Sequence, residues 1–131
     1  MVSEPNPAKM SARWPLWKSF GCAFHGLAVL LTQRNARIHL AATVSAVAAG
    51  CVFRISRIEW CAVVGAIGLV WTAEGLNTAI EVVVDLVSPE HHPLAGRAKD
   101  LAAGAVLCSA LAALAIGLVI FGPRLLVLVG A

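Results

Sequence analysis

Five polar side chains recur at helical spacing in the segment Glu74–Asp85, which reads EGLNTAIEVVVD. At 100° per residue they share an arc of about 100° on one face of an α-helix. They are Glu74, Asn77, Thr78, Glu81 and Asp85. Carboxylate and amide oxygens are the ligands that Mg²⁺ prefers, and Mg²⁺ is the usual counterion of a triphosphate. The pattern therefore indicates a site for a divalent cation and phosphate groups.

Such a row of acids is costly, because like charges one turn apart repel each other. An ionisable group at the bilayer centre costs at least ~2.5 kcal/mol. In a helix that begins at Ile58, Glu74 lies ~24 Å along the axis, near the inner edge of a hydrocarbon core of ~30 Å. Glu81 lies two turns further on. We therefore expect Glu74 at the height of lipid headgroups and Glu81 in the aqueous layer above them.

The next helix begins at the same height with a basic and acidic cluster, Arg97, Lys99 and Asp100. These cations suit a triphosphate, but they also suit ion pairs with the acids of the preceding helix, and both interpretations stay open. Gly21 and Gly26 have the spacing of a Walker A loop but are followed by Leu27-Ala28 instead of Lys-Ser/Thr. A phosphotransferase with this sequence would not be of the common soluble kinds.

The composition predicts an all-α integral membrane protein. The chain has 131 residues, of which 60% are hydrophobic and 13% charged, whereas soluble domains are nearer a quarter charged. We predict three transmembrane helices at about 38–53, 58–87 and 95–121. Most Lys and Arg residues then lie on one side, which places the N-terminus in the cytosol. The net charge of +3 is not gathered with aromatic residues, so a nucleic-acid partner is not expected.

The remaining segments are assigned around these spans. Residues 1–11 are expected to be a disordered leader, and 12–131 a single domain. A helix at 14–32 carries an apolar stripe, which suits either the bilayer surface or packing on the protein itself. Gln33–His39 forms a polar elbow, Ser88–Leu94 contains two prolines and breaks the helix, and Gly122-Pro123 is expected to end the third span.

The four cysteines, and the small residues of the third span, are predicted to have structural roles. Cys22, Cys51, Cys61 and Cys108 have no CxxC spacing, and three lie in apolar runs, so they are expected to be buried and inert. Gly104, Ala113 and Gly117 in the third span are better explained as contacts that let helices approach closely than as substrate contacts.

Two long motifs carry a family resemblance. ExxNTAIExxxD, followed by GRAKDxAAGAVL at Gly96–Leu107, resembles the signature of the bacterial diacylglycerol kinase and undecaprenol kinase family. WKSF at Trp17–Phe20 and RNARIH at Arg34–His39 add to it, and the match covers about residues 14–121. The elbow and HHPLA at His91–Ala95 are closer to the undecaprenol kinase branch. The resemblance implies a homotrimer in the bacterial inner membrane, with active sites between subunits.

The resemblance also implies roles for individual residues. Glu74 would be the general base, and Glu81 would bind Mg²⁺. The nucleotide, ATP, would contact a larger set: Asn77, Glu90, His91, His92, Lys99 and Asp100, with Lys18 as a further candidate. The family usually has a second acidic metal ligand in the elbow, where this chain has Gln33. A neutral amide oxygen there implies weaker metal binding and leaves inactivity open.

The function expected from these observations is ATP-dependent phosphorylation of a membrane lipid alcohol, undecaprenol or diacylglycerol, at the cytosolic face. The alternative is a catalytically weakened or non-enzymatic membrane scaffold of the same fold, which Gln33 keeps open. An ion or proton carrier would need carboxylates near mid-membrane, and none lies in Leu40–Phe53 or Leu101–Gly122. Binding of Mg-ATP would separate the kinase from the scaffold.

Overall fold

The protein is all-helical in a computed structural model that describes residues 15–90 and 92–130. The described elements are α1 (Leu16–Thr32), α2 (Arg34–Val52), α3 (Arg57–Val87) and α4 (Pro93–Val129). The predicted leader, the start of the surface helix at Trp14, and His91 lie outside the described residues. Helices α3 and α4 pack along most of their length, while α2 packs on α3 less extensively.

Helix α3 begins with a complete capping box. The Ser56 hydroxyl accepts a hydrogen bond from the Glu59 backbone N–H, and the Glu59 carboxylate accepts one from the Ser56 backbone N–H at 2.7 Å. These two bonds satisfy donors that a helix start leaves free. The helix has 31 residues, so it is ~46 Å long and exceeds a ~30 Å hydrocarbon core. A continuous helix can therefore carry the predicted polar face beyond the membrane.

Helix α4 does not end where the sequence predicts. It begins with Pro93 at its first turn, where a missing N–H costs nothing, and continues through Gly122-Pro123 to Val129. The prediction that Gly122-Pro123 ends the third helix is therefore wrong. Pro123 cannot donate to the Val119 carbonyl, but the Arg124 guanidinium donates to the Ile120 carbonyl in the same turn. Apolar helices tolerate proline where other groups satisfy the freed carbonyl, but this contact is to Ile120 and not to Val119.

The core lies at the end of the bundle where α3 begins, which we call the Ser56 end. Ile55, Val63 and Ile120 form a buried cluster there. Gly50 is also buried, and a Cβ on it would lie 2.8 Å from the Trp60 ring. Only a residue without a side chain allows this close approach. These contacts fix α2 against α3 at the end opposite the polar face.

Helix α1 contacts the bundle only near its end. Leu30 is buried and lies 3.8 Å from the position of a Cβ on Gly75 of α3. The elbow was predicted to span Gln33–His39. In the structure only Gln33 separates the two helices, and Arg34–His39 form the first turns of α2. The apolar stripe of α1 is exposed, with Trp17 71% accessible. Within this subunit the stripe therefore does not pack on the protein, which favours the bilayer surface.

Much of the remaining surface is apolar. Two helices, α3 and α4, are long and apolar enough to cross a membrane. Large hydrophobic residues such as Leu118, Val119 and Leu128 are exposed along α4, as expected where a surface meets lipid or other chains. All four cysteines are exposed as well, so the prediction of buried thiols is wrong for the single subunit. They lie on the outward faces of apolar helices, which sequence runs do not distinguish from inward faces.

Candidate functional site

The predicted polar face of α3 is a single graded surface. Glu74 and Asn77 are buried, with 1% and 4% accessible, whereas Thr78 and Glu81 are half-buried and Asp85 is exposed. The gradient follows the helix toward its Val87 end, where it leaves the bundle. The face therefore passes from a buried acid to an exposed one within about three turns, a gradient that the residue spacing did not predict.

Glu74 contacts a residue that the motif analysis did not select. Its Oε2 lies 3.7 Å from Nε2 of His39 on α2. The His39 ring packs edge-on against Trp71, with ring centroids 6.5 Å apart, and Trp71 Nε1 donates to Thr43 Oγ1 at 3.0 Å. This cluster of His39, Thr43, Trp71 and Glu74 joins α2 to α3. It holds a carboxylate and an imidazole together inside the bundle.

Two oxygens of the face are buried without a hydrogen-bond partner. Asn77 Nδ2 donates to Glu81 Oε1 at 3.0 Å, which fixes the amide and turns its Oδ1 elsewhere. Asn77 Oδ1 and Glu74 Oε2 accept no hydrogen bond from the described part of the chain. An unsatisfied buried polar group costs ~1–3 kcal/mol. Two such acceptors one turn apart are typical of a site that awaits a donor, such as a hydroxyl or a coordinated water.

The side chains of Asp85 and Lys99 form an ion pair with each other. Lys99 Nζ donates to Asp85 Oδ1 at 2.6 Å, and the Asp85 side chain is 67% exposed. The pair joins the end of α3 to the start of α4, as the helix-locking interpretation of the sequence expected for these two residues. An exposed pair of this kind contributes about 0–1 kcal/mol. Lys99 can therefore exchange Asp85 for a phosphate at little cost.

The other predicted nucleotide contacts lie around the same end but are not gathered. Glu90 and Asp100 are exposed, and His92 Nδ1 accepts the Leu94 backbone N–H as the cap of α4. His91 lies outside the described residues. Lys18 stacks over Trp17, with Nζ 5.4 Å from the ring centroid, ~18 Å along α1 from Leu30. One subunit therefore does not bring Lys18 to the polar face.

The side chains of the site can be compared with the ligands that Mg²⁺ requires. Within residues 15–90 and 92–130, three or more His, Cys, Asp or Glu side chains do not cluster as a metal site. Mg²⁺ in kinases, however, is held by one or two carboxylates together with substrate phosphates. Glu81 supplies a half-buried carboxylate, and Gln33 lies at the α1–α2 break beside the Leu30–Gly75 contact. A single carboxylate such as that of Glu81 suits an ion that arrives bound to a nucleotide.

The chain matches the family model of prokaryotic diacylglycerol kinase over residues 21–121. This chain belongs to the prokaryotic diacylglycerol kinase family. The matched range includes the Glu74–Asp85 face, the His39 contact and the start of α4. The resemblance inferred from the two motifs is confirmed.

Curated relatives agree with this assignment. The chain is 44% identical over 110 residues to an undecaprenol kinase of Bacillus subtilis, covering 83% of this chain and 89% of the relative. It is 42% identical to a diacylglycerol kinase of Synechocystis, covering 95% and 76%. It is 35% identical to the diacylglycerol kinase of Escherichia coli K12, covering 73% and 80%. The named relatives are lipid kinases, and they include one from each predicted branch.

His39 and Trp71 are the residues that sequence reasoning missed. His39 stood at the end of the RNARIH motif, but its partner lies 35 positions further along the chain. A signal was present, because a histidine that directly precedes an apolar run and a tryptophan within one need polar partners. Their choice of partner depends on how α2 sits against α3, which spacing along one helix does not show.

Proposed function

We propose that this lipid kinase transfers the γ-phosphate of Mg-ATP to the hydroxyl of a membrane lipid alcohol at the cytosolic face. The observation that carries the proposal is Glu74, a buried carboxylate with an unpartnered oxygen in a chain of this family. Burying an acid without a full set of partners is unfavourable for folding. Costs of this kind are typical of sites that a substrate completes.

Glu74 is the proposed general base. The lipid hydroxyl donates its hydrogen bond to Glu74 Oε2, and the proton moves to that oxygen as the lipid oxygen bonds to the γ-phosphorus. The bond between the γ-phosphorus and the ADP oxygen breaks in line. His39 Nε2 lies 3.7 Å from the same oxygen, too far for a hydrogen bond, so this oxygen is free to accept from the lipid hydroxyl. Positioned bases of this kind contribute about 10²–10⁴-fold to rate.

Nucleotide and metal would lie further along the face. Glu81 and the Gln33 amide oxygen would hold Mg²⁺, which when bound offsets the charge of the phosphate oxygens. Asn77 positions Glu81 through the 3.0 Å hydrogen bond. Lys99 would leave Asp85 to contact a phosphate, and Asp100, Glu90, His91 and His92 would line the same aqueous layer. Lys18 would join them only from a neighbouring subunit or after α1 moves.

The proposed assembly is a homotrimer of three-span subunits with a cytosolic N-terminus. Helix α2 has 19 residues and is ~28 Å long, close to the thickness of a hydrocarbon core. Its positive charges, Arg34 and Arg37, lie at the end that faces the polar layer. The exposed apolar residues and scattered nucleotide candidates of one subunit support an arrangement in which neighbours complete each site.

A direct test offers the purified protein labelled ATP and Mg²⁺ in micelles that contain either undecaprenol or diacylglycerol. Phosphate should appear on at least one alcohol, and Mg-ATP should bind without any alcohol present. Binding without transfer would identify a catalytically weakened enzyme. Absence of both would contradict the proposal.

A membrane scaffold of the same fold is the second candidate, because the Asp85–Lys99 pair joins two helices as a scaffold requires. The scaffold account predicts that Lys99→Met loosens the bundle and that Mg-ATP does not bind. The kinase account predicts little change in stability and weaker binding of Mg-ATP. Calorimetric titration with Mg-ATP and thermal unfolding of this variant separate the two.

A further inference from the structure

The oxygen proposed to take the proton, Glu74 Oε2, is closed off already within one subunit. Glu74 is 1% accessible, and Oε2 is buried without a hydrogen-bond partner in the described chain. A hydroxyl that donates to this oxygen must place its own oxygen about 2.8 Å away, and free space at that distance would make Oε2 accessible. The lipid hydroxyl therefore reaches Glu74 only after a neighbouring group moves aside.

His39 is the neighbour that lies against this oxygen. Its Nε2 is 3.7 Å from Glu74 Oε2, which is close to van der Waals contact and leaves no room for another atom between them. Because the same distance is too long for a hydrogen bond, the ring can leave without breaking one to Glu74. The His39 side chain is 15% accessible, whereas that of Glu74 is 2% accessible.

The open side of the pair is a groove between α2, α3 and α4. His39, Thr43 and Val70 are among the residues that line this groove, and Glu74 is not. The imidazole ring therefore borders the groove and also contacts the carboxylate behind it. The groove offers the ring space into which it can turn.

Packing holds the His39 ring in its closed position. The ring lies edge-on to Trp71, with centroids 6.5 Å apart, and Trp71 Nε1 donates to Thr43 Oγ1 at 3.0 Å. Thr43 is one turn beyond His39 on α2, so the indole is anchored to the helix that carries the histidine. A ring held by an aromatic contact can change rotamer while the two helices stay in place.

We infer that the His39 ring is a movable cover of Glu74, which admits the lipid hydroxyl and excludes water. The inference rests on the proposed function and adds to it a residue that selects the acceptor. If water reached Glu74 Oε2, it could lose its proton to that oxygen and bond to the γ-phosphorus, and ADP and inorganic phosphate would leave. Closed active sites prevent side reactions of this kind.

The cover distinguishes the two acceptors by the energy with which each binds. A lipid alcohol makes apolar contacts with the protein, and this binding energy can displace the ring and open the site. A water molecule makes no such contacts and leaves the ring in place. His39 takes no proton in this account, so it acts through Glu74 as a positioning residue.

Carboxyl labelling tests the cover without requiring phosphate transfer. A small hydrophobic carbodiimide couples to carboxyl groups, and mass spectrometry gives its yield at Glu74 relative to Glu59, whose side chain is 26% accessible. A cover closed about nine-tenths of the time predicts that His39→Ala raises this ratio about tenfold. His39→Phe keeps a ring without its nitrogens and should keep the ratio low. His25→Ala, on the exposed helix α1, is the control for loss of a histidine elsewhere.

Acceptor selection is tested by ADP release from Mg-ATP in micelles that contain no lipid alcohol. His39→Ala should raise ADP release about tenfold or more, because water then reaches a positioned base, and such bases contribute about 10²–10⁴-fold to rate. His39→Phe should keep ADP release low. Thermal unfolding in detergent identifies the folded variants, and His39→Ser replaces His39→Ala if the latter does not fold.

The outcomes separate this inference from the proposed function. Labelling in the expected order, in a protein that does not turn over ATP, would contradict the kinase and support the cover. Lipid phosphorylation with equal labelling and equal ADP release in His39→Ala and the unchanged protein would support the kinase and overturn the cover. An equal rise in His39→Ala and His39→Phe would assign the effect to the imidazole nitrogens and also overturn the inference.

Discussion

Glu59 and Glu74 belong to one helix and have opposite environments. The Glu59 carboxylate accepts from the Ser56 backbone at 2.7 Å and pairs with Arg124 at 2.9 Å. The Glu74 carboxylate is almost completely buried, yet one of its oxygens has no hydrogen-bond partner in the described chain. The first acid therefore stabilises a helix start, and the second is held in a state that folding alone does not favour.

Whether a polar group has its hydrogen-bond partners distinguishes structural polar groups from functional ones, and this criterion does not depend on the family assignment. At the Ser56 end, polar groups complete a cap and join α3 to the Arg124 turn of α4. Along the Glu74 face, Glu74 Oε2 and Asn77 Oδ1 are buried without a hydrogen-bond partner in the described chain. Function is expected where the fold leaves a positioned group without its partner.

The largest effect outside Glu74 is expected at Glu81. Glu81→Gln keeps an oxygen for the Asn77 hydrogen bond but removes the negative charge proposed to hold Mg²⁺. Activity should fall about a hundredfold or more, and the Mg²⁺ concentration for half-maximal rate should rise. Magnesium titrations of transfer measure both. Glu59→Gln is the matched control, and an equal change in the two variants would show that Glu81 has no special role.

A large effect on stability is expected at Gly50, within the structural region. Gly50→Ala places a methyl group 2.8 Å from the Trp60 ring, and overpacking of this kind costs about 1–3 kcal/mol. Gly65→Ala is the control, because its Cβ would meet nothing within 4 Å and alanine favours a helix. Unfolding midpoints in detergent should fall for the first variant only. Equal midpoints for the two variants would show that the methyl group at residue 50 does not overpack against the Trp60 ring.

A smaller effect is expected from the cap of α3. Ser56→Ala removes the hydroxyl that accepts the Glu59 N–H and should cost about 1 kcal/mol. Thermal unfolding should report this loss, while transfer by the folded fraction stays unchanged. A change in KM for ATP or the lipid alcohol would contradict the division between the two ends of the helix.

The smallest effect is expected at the α1–α2 break. Gln33→Glu adds a charged ligand where the chain has an amide, and the Mg²⁺ concentration for half-maximal transfer should fall a few-fold. Gln33→Leu should raise it by a similar factor. If neither variant moves the magnesium dependence, Gln33 is not a ligand and the proposed metal site reduces to Glu81 and the phosphates.

The sequence predicted the parts of this arrangement that depend on one helix. The placement of Glu74, Asn77, Glu81 and Asp85 on one face follows from the helical repeat. The family followed from motifs around the same face. These features need only local geometry, which residue spacing encodes directly.

Features that depend on two helices were missed or misplaced. The His39–Glu74 contact needs the register between α2 and α3. The contact of Arg124 on α4 with Glu59 on α3 also needs the packing of two helices. The exposed cysteines depend on which face of an apolar helix meets lipid. In each case composition identifies an apolar helix, but only packing determines where its residues point.

The most direct test compares Glu74→Gln with Glu59→Gln for both transfer rate and thermal stability. The account predicts that Glu74→Gln lowers kcat/KM by about 10²–10⁴-fold without lowering the unfolding temperature. Glu59→Gln should lower the unfolding temperature while kcat/KM of the folded protein is retained. Near-normal transfer by a folded Glu74→Gln protein would contradict the central claim that this buried acid is the base.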